Sequence, residues 1–421
     1  MSMNTKPKIL LLAGEESGVL YAERLAAHLR AAGAVLRGYG DYGFKTADLA
    51  VMGFWPVLRR IFYFLGVART MKRAIREWRP DVVVTIDYPG MNLKLAAYAK
   101  RLGISAVHVV CPQVWAWHRS RIPKVAAALS ELLCFFPFEP VLFKETGLNA
   151  KFIGHPLVKV VEGEVQGCGH VGRDVSTKRP ENTGTDPENM SVSRKSGHVV
   201  ALLPGSRIGE IQRILPRLLK AVEILVRGQT LKTGGQTLKI VIPAANAGAE
   251  REIRHIIAMV KDLPPVEVQR GNARAVLRAA DCAAVASGTA TLEAALVRCP
   301  TVLVYAVSPL LAWFARRVIK GVRHVGLANV VAEKCGFEPP MPELLQEAFT
   351  PEAVADQLKV WLSGDAARAA AIKKLDGAMA YLEAEGEPLQ IAAQEIMAKY
   401  HASGAADTSS ARCASTVRNS S

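Results

Sequence analysis

The chain has 421 residues, which is too long for one hydrophobic core, so two domains are expected from length alone. Half of the residues are hydrophobic, and 53 Lys and Arg against 38 Asp and Glu give a net charge of +15, which favours anionic partners. The sequence has no run of about 18 uncharged apolar residues and no nucleic-acid-binding motif, so it predicts neither a membrane-spanning helix nor a nucleic-acid partner.

Short runs of β-branched and aliphatic residues alternate with helix-forming segments along most of the chain, which predicts parallel sheets covered by helices. In the first half the predicted strands are Ile9–Ala13, Asp81–Ile86, Ala106–Val110, Leu132–Phe136 and Lys151–Ile153. In the second half they are Val199–Leu203, Lys239–Ile242, Val266–Gln269, Ala283–Ala286 and Thr301–Tyr305. Two such series indicate two doubly wound domains facing a shared cleft.

The composition changes abruptly between the two series. Residues 163–198 are rich in Gly, Ser, Thr, Pro and charge, so we expect a disordered linker or insertion there. The predicted domains are therefore 1–162 and 199–365. Helices over 366–400 are expected to close the fold, and the tail 401–421 is expected to be disordered.

Ligands of open α/β sheets bind at the carboxyl ends of the strands, so candidate catalytic and binding residues are expected just after the predicted strands. The first predicted strand ends in Gly14 and Glu15, where a plain strand-to-helix turn is an equal alternative to a ligand contact. The second is followed by Asp87 and then Asn92. Asp87 is well placed for a general base, and capping of the following helix explains it equally well.

The segment 112–119, PQVWAWHR, follows the third predicted strand. Its aromatic and basic side chains suit a sugar or a lipid, and a core anchor with a basic edge explains them as well. Cys111 and His118 have no further ligands at metal spacing, so no metal site is predicted. The seven Cys form no CxxC pair, which indicates reduced, buried thiols in a cytoplasmic protein.

Two corners of small residues follow strands of the second half. The first, Gly205-Ser206-Arg207, joins a glycine turn to a guanidinium and suits a diphosphate; an ordinary surface arginine is the alternative. The second consists of Ser287, Gly288, Thr289, Ala290 and Thr291. It leads into a helix whose first N–H groups can hold a phosphate without a basic side chain. A helix N-cap, with Ser287 or Thr289 as the capping residue and nothing bound, explains it too.

Several longer motifs occur in one order: AGEESG, IDYPGMN, CPQVWAWHRSRIPK, FPFEPVLF, FIGHPL, LLPGSRIGEI and ASGTATLEAAL. Together they resemble the lipid-A-disaccharide synthases, from about residue 8 to about residue 365. LPGSR, VWAW and SGTATLE are each fairly specific, and their occurrence in this order is highly specific. The resemblance implies an α/β, GT-B-like fold with two Rossmann-like parallel-sheet domains facing a cleft.

The resemblance also implies a reaction. Family members transfer 2,3-diacylglucosamine from UDP to 2,3-diacylglucosamine 1-phosphate with inversion, which forms the β-1′,6 disaccharide of lipid A biosynthesis. It implies a hexosyltransferase without a cofactor, with UDP-diacylglucosamine and diacylglucosamine 1-phosphate as partners. It further implies a cytoplasmic protein that is peripheral on the inner membrane, and it leaves a homodimer open. The segments Phe54–Trp78 and Pro309–Arg323 mix bulky apolar and basic residues and suit an anionic membrane surface, or ordinary amphipathic helices.

By resemblance, the first domain holds the acyl-sugar acceptor. Asp87 matches the family's candidate base for the acceptor 6-hydroxyl, and Glu15 is its rival. Gly14 and Asn92 would line the site beside them.

By resemblance, the second domain holds UDP. Arg207, with Gly205 and Ser206, would balance the charge of the leaving diphosphate. The corner from Ser287 to Thr291 would contact the diphosphate or its ribose, with Glu293 on the first helical turn. Asn329 matches a family position in the donor site.

Four departures from the family pattern are visible. Val19 stands where the family has Asp, Gly90 and Met91 replace Asp-Phe, segment 36–52 is shortened, and Ala328 replaces Pro. Three of the four fall on the acceptor side. Two alternatives therefore stay open: another UDP-hexosamine transferase or epimerase on the same scaffold, and a non-catalytic nucleotide-binding paralogue.

Overall fold

The structure is a computed structural model, and it describes residues 6–14, 16–44, 61–116, 119–167, 197–227, 237–261, 263–307 and 323–402. These residues form two compact units. The first contains the described residues up to Pro156 and returns from Leu382 onward, and the second runs from Leu157 to Tyr381. The predicted linker and tail lie mostly outside the described residues.

The first unit is built on a six-stranded parallel sheet with the order β2-β1-β3-β4-β5-β6. Its strands are β1 (Lys8–Ala13), β2 (Val35–Arg37), β3 (Val82–Ile86), β4 (Ser105–Val109), β5 (Glu131–Cys134) and β6 (Asn149–Phe152). Its helices are α1 (Glu16–Ala31), α2 (Ile61–Trp78), α3 (Pro89–Arg101), α4 (Ile122–Ala128) and the C-terminal helix over residues 388–402. The helix α5 (Pro156–Gly167) begins where this unit ends and continues into the second.

Helices cover both faces of this sheet. Leu25 of α1 and Leu389 of the C-terminal helix pack on one face, and Met71 of α2 and Leu95 of α3 pack on the other. All five residues of β3 are consequently buried. A strand buried on both faces appears in the sequence as an unbroken apolar run, which is why the central strands could be predicted.

The second unit is also built on six parallel strands, in the order β12-β11-β10-β7-β8-β9. The strands are β7 (Gly197–Leu203), β8 (Thr237–Ala244), β9 (Val266–Arg270), β10 (Cys282–Ala286), β11 (Thr301–Tyr305) and β12 (Glu343–Leu345). The helices are α6 (Ile208–Arg227), α7 (Ala247–Ala258), α8 (Ala273–Ala279), α9 (Thr289–Leu296), α10 (Leu327–Lys334), α11 (Pro351–Ser363) and α12 (Asp365–Met379).

Each sheet has one point where the strand order reverses. In the first unit the chain passes from β1 outward to β2 and then returns to the other side of β1 with β3. In the second it passes from β7 outward to β8 and β9 and returns with β10. The crevice outside the carboxyl ends of two such strands is where open α/β sheets bind ligands.

The ten predicted strands are confirmed, with shifts of one or two residues at their ends. The prediction omitted β2 and β12, which have three residues each and form one edge of their respective sheets. Neither is fully buried, so neither has an apolar run in the sequence. Within the described ranges, none of the helices combines the length and the apolar character that crossing a membrane would need.

Candidate functional site

In the first unit the predicted site residues lie at the strand-order reversal between β1 and β3. Ala13 is paired with Ile86 at the carboxyl ends of these strands, so the turns that follow them are neighbours. A Cβ atom built on Gly14 would lie 2.5 to 2.8 Å from side-chain atoms of Tyr88. Only a glycine therefore lets the Tyr88 ring sit against the turn after β1. Glu15, the rival base, lies outside the described residues.

The turn after β3 has an unusual backbone. Asp87 has φ 50° and Tyr88 has φ 49°, and two consecutive non-glycine residues in the left-handed region store strain. Asp87 Oδ1 accepts a hydrogen bond of 2.8 Å from Tyr88 N. Burial raises the pKa of the Asp87 carboxyl, and the hydrogen bond from Tyr88 N only partly offsets this.

The structure does not make Asp87 the N-cap of the following helix. α3 begins at Pro89, its N-cap residue is Tyr88, and no side chain accepts a hydrogen bond at that cap. Asn92 lies inside the first turns of this helix. The capping explanation of Asp87 thus loses its geometric basis.

Asn92 lies beneath the turn rather than on its surface. Its side chain has no exposed area. Nδ2 donates to the carbonyl oxygens of Leu12 (3.3 Å), Ile86 (3.1 Å) and Asp87 (2.8 Å). Oδ1 accepts from the Tyr39 hydroxyl at 2.9 Å. Asn92 therefore ties the ends of β1 and β3 together, and its amide has no capacity left for a substrate.

A cavity of about 290 Å³ lies in the same unit and is lined by residues of β1, α1, β2 and the turn after β2. Ala13, Val19, Tyr39 and Gly40 are among the residues that line it. Val19, which stands where the family has Asp, thus faces an open space rather than the core. Tyr39 was not identified from the sequence, because it follows the short edge strand β2 and has no motif around it.

In the second unit the first small-residue corner follows β7. Gly205 has φ 107°, and a Cβ atom on it would lie 2.6 Å from Glu210 Oε2, so the position requires glycine. Ser206 is exposed, and the Arg207 side chain is 61% exposed. Arg207 Nη1 donates to Glu210 Oε1 at 2.9 Å, which holds the guanidinium at the carboxyl end of β7.

The second corner follows β10, the strand paired with β7. The N-cap of α9 is Gly288, with φ 149° and ψ −164°, and no side chain caps the helix. The plainer expectation, that Ser287 or Thr289 is the capping residue, is therefore wrong. A Cβ atom on Gly288 would meet nothing within 4 Å, and Gly288 and Thr289 are exposed. The N-terminus of α9 opens on space at the strand-order reversal.

The other members of this corner hold it in place. Ser287 Oγ donates to Val325 O at 3.4 Å, and Thr291 Oγ1 donates to Gly288 O at 2.8 Å. Thr291 is buried, and Ala290 is half-buried on the first turn of α9. The loop that contains Val325 is thus joined to the corner.

The loop that contains Val325 is held by hydrogen bonds to the side chain of Glu343. Its carboxylate accepts hydrogen bonds from Val325 N, Gly326 N and Asn329 Nδ2 at 2.8 to 3.2 Å. Asn329 is buried, donates also to Met341 O and accepts from Met341 N. Its amide is therefore engaged inside the protein, and it shapes the loop beside the corner. Glu343, on the short edge strand β12, was not identified as a site residue from the sequence.

Glu293 lies one turn further along α9 than was expected. Its Oε1 accepts from Arg274 Nη1 at 2.9 Å, and the remaining nitrogens of Arg274 donate to Glu164. The hydrogen bonds that Arg274 donates to Glu164 are the main cause of the raised pKa of Arg274. Arg274 is thus a charged bridge between α5 and α9, which the sequence did not indicate.

One buried cluster of metal-ligating side chains exists among the described residues. Ligand atoms of Cys111, Cys134 and Glu139 lie within 4.8 Å of one another, so Cys111 does have further ligands nearby, contrary to expectation. The Glu139 oxygens accept from Trp115 Nε1 and Phe136 N, each at 3.1 Å. Hydrogen bonding to Cys134 and burial raise the pKa of the Cys111 thiol, which disfavours the thiolate that a metal ion would need. We assign no ion to it.

The aromatic segment after β4 is in part a core anchor. Trp115 is 3% exposed, and its indole nitrogen bonds the buried Glu139. Trp117 and His118 lie outside the described residues. The thiols of Cys111, Cys134, Cys282 and Cys299 are buried, as predicted, whereas Cys335 is half-buried.

Comparison with known proteins gives one consistent family. The family described as lipid-A-disaccharide synthetase matches residues 9–399. The lipid-A-disaccharide synthase of Myxococcus xanthus is 34% identical over 374 residues, covering 86% of this chain and 90% of that protein. The lipid-A-disaccharide synthase of Syntrophus aciditrophicus is 35% identical over 367 residues, covering 85% and 88%.

Solved structures show the fold alone. The chain matches UGT73P12 of Glycyrrhiza uralensis, solved with glycyrrhetinic acid 3-O-monoglucuronide, at a TM-score of 0.56 and 12% identity, covering 99% of this chain and 100% of that one. It matches a putative UDP-N-acetylglucosamine 2-epimerase of Listeria monocytogenes at 0.52 and 12%, covering 94% and 95%. The GT-B architecture with two parallel-sheet units is therefore confirmed.

Proposed function

Because the chain belongs to the lipid-A-disaccharide synthetase family, we propose how its residues carry out the reaction of that family. The protein is a glycosyltransferase of lipid A biosynthesis. It joins UDP-2,3-diacylglucosamine and 2,3-diacylglucosamine 1-phosphate into the β-1′,6 disaccharide and releases UDP. Inverting transfer needs a base for the acceptor hydroxyl and stabilisation of the leaving diphosphate.

We propose Asp87 as the base. The observation that supports it most is the strained turn at the reversal between β1 and β3, which presents the carboxyl at the sheet edge where ligands bind. The raised pKa of Asp87 makes its carboxylate a stronger proton acceptor than an exposed one. Asp87 would take the proton of the 6-hydroxyl as that oxygen attacks the donor sugar.

We propose that the donor diphosphate lies at the second unit's reversal. The N-terminus of α9 has no capping side chain, and its Gly288 corner opens on space. Oriented N–H groups at a helix N-terminus favour a phosphate, and Arg207, exposed after the paired strand and bonded to Glu210 through one nitrogen, adds a guanidinium. Both would stabilise the negative charge that develops on UDP as it leaves.

The test of Asp87 is single-turnover transfer by the Asp87→Asn variant at saturating acceptor. A lost general base costs about 10²–10⁴ in rate, and UDP affinity should stay at the parental value. Asp81→Asn is the matched control, because Asp81 lies at the opposite end of the same strand, where it accepts from Lys8 N at 2.7 Å. Transfer at the parental rate by Asp87→Asn would refute the proposed base.

The protein's membrane association is also a proposal. On α2, Phe62 (83% exposed), Leu65, Arg69, Arg73 and Arg76 lie on one outer face. An apolar end followed by basic residues suits insertion among anionic headgroups, and the lipid substrates are found at such a surface. We therefore propose a protein that is peripheral on the cytoplasmic side of the inner membrane. Most of Pro309–Arg323, the second candidate membrane segment, lies outside the described residues. Formation of a homodimer stays a prediction.

A further inference from the structure

We infer that Tyr39 is a positioning residue of the transfer reaction, which acts through Asn92 on the turn that carries Asp87. The inference rests on the proposed role of Asp87. Nothing in the sequence around Tyr39 indicated this role.

The turn needs a restraint. Asp87 and Tyr88 both have left-handed backbones, and neither is a glycine, so each would relax to a more populated conformation if it were unrestrained. Part of the restraint comes from the backbone, because Asp87 N donates to Val109 O at 3.0 Å. The remainder comes from the Asn92 amide, which donates to the carbonyl of Asp87 itself and to those of Leu12 and Ile86.

Tyr39 fixes the orientation of that amide. Carbonyl oxygens only accept, so Asn92 must turn its NH₂ group towards them and its oxygen towards Tyr39. The Tyr39 hydroxyl then has to donate, and it does so at 2.9 Å. Burial raises the pKa of Tyr39 above its ordinary value, which keeps the hydroxyl protonated. Without this donor, the Asn92 oxygen would be a buried acceptor with no partner, and the amide would keep only the hydrogen bonds that its NH₂ group donates.

Tyr39 is itself held firmly. It is 3% exposed and packs in the core with Leu12 and Leu95. Its carbonyl accepts from Phe44 N at 3.1 Å, which closes the tight turn after β2. The hydroxyl is therefore placed by the packing of its own ring and by the turn after β2, which is the arrangement expected of a supporting residue behind a reactive one.

The test compares Tyr39→Phe with Tyr42→Phe in the full chain. Tyr42 lies in the same turn, and its buried hydroxyl has no hydrogen-bond partner among the described residues, so it is a matched control. Tyr39→Phe should lower kcat about 10-fold and leave KM for both substrates within about two-fold, because misorientation affects the chemical step. Tyr42→Phe should keep the parental kcat.

A double-mutant cycle with Asn92→Ala decides whether Tyr39 acts through Asn92. If it does, Tyr39→Phe has no further effect on kcat in the Asn92→Ala background. Additive effects, a parental kcat for Tyr39→Phe, or a rise of the acceptor KM alone through the neighbouring cavity would overturn the inference. Melting temperatures of all variants identify any loss of kcat that comes from unfolding. Asp87→Asn is measured in parallel: if it stays active, the proposed base fails, whereas an inactive Asp87→Asn beside an unchanged Tyr39→Phe refutes only the role of Tyr39.

Discussion

The substitution Gly288→Ala tests the donor corner with one added methyl group. Gly288 has φ 149° and ψ −164°, a region that is essentially restricted to glycine. The new Cβ would meet nothing within 4 Å, so the substitution adds backbone strain of about 1–3 kcal/mol and no clash in the unliganded protein. The fold should survive with a lower melting temperature.

The effect on UDP follows from what the methyl group blocks. If the diphosphate approaches the N–H groups of α9, the Cβ or the relaxed backbone removes at least one hydrogen bond to a charged group. Such a bond contributes about 1.5–3 kcal/mol, which corresponds to about 10- to 150-fold weaker UDP binding. Isothermal titration calorimetry with UDP measures this directly.

Gly336→Ala is the matched control for the backbone strain. Gly336 has φ 82°, a Cβ there would also meet nothing within 4 Å, and it lies after α10 rather than at the corner. It should lower the melting temperature and leave UDP affinity unchanged. Parental UDP affinity in Gly288→Ala would show that the corner is a glycine-capped helix start with no phosphate bound.

Three further predictions follow from the described contacts. Glu343→Gln places an NH₂ group among the N–H donors of Val325 and Gly326, so KM for the UDP-sugar should rise several-fold in steady-state kinetics, while Glu338→Gln, on an exposed ion pair, should not change it. The double substitution Phe62→Ser and Leu65→Ser should weaken sedimentation with anionic vesicles and leave UDP affinity unchanged, whereas Leu20→Ser, at an exposed leucine of α1, should leave vesicle binding unchanged. Docking by α2 would be contradicted if the double variant bound vesicles as the parent does, or if Leu20→Ser weakened vesicle binding to the same extent. Burial raises the pKa of Glu139 from 4.5 to about 8 and lowers that of His155 from 6.5 to about 4. Between pH 6.5 and 8 the folded protein keeps the Glu139 proton while the unfolded chain has lost it, so stability falls with rising pH by at most about 1.4 kcal/mol per pH unit. The His155 contribution, which rises between pH 4 and 6.5, levels off in the lower part of this interval. Glu139→Gln should flatten the melting temperature across that interval, and an unchanged slope would refute the assignment.

The predictable part of the fold is the part that is buried on both faces. A strand such as β10, buried at all five residues, has to be apolar throughout, so its position and length can be read from the sequence. The edge strands β2 and β12 have partly exposed residues and depend on a neighbour for their hydrogen bonds. Their strand character therefore comes from the sheet rather than from their own side chains.

The candidate site residues also divide into those that could be predicted from the sequence and those that could not. Asp87 in the first unit, and Arg207 and Gly288 in the second, lie shortly after predicted strands, and the carboxyl end of a parallel strand fixes the edge of its own sheet at which each residue lies. Tyr39 and Asn92 are 53 residues apart, and their hydrogen bond exists only because two turns meet beneath the sheet edge. Local sequence contains no information on such a contact, so it identified Asn92 as a site residue without its burial, and it did not identify Tyr39.

The residues that depart from the family pattern differ in their surroundings. Gly90 is exposed on the first turn of α3 with nothing within 4 Å of a Cβ on it, and Val19 lines the cavity of the first unit. Met91 packs in the core with Leu95. None of these three side chains can hydrogen-bond the turn, whereas Asp87 keeps its restraint through Asn92. The three departures therefore leave the hydrogen bonds of the Asp87 turn intact. This favours a working transferase over a paralogue that has lost its chemistry.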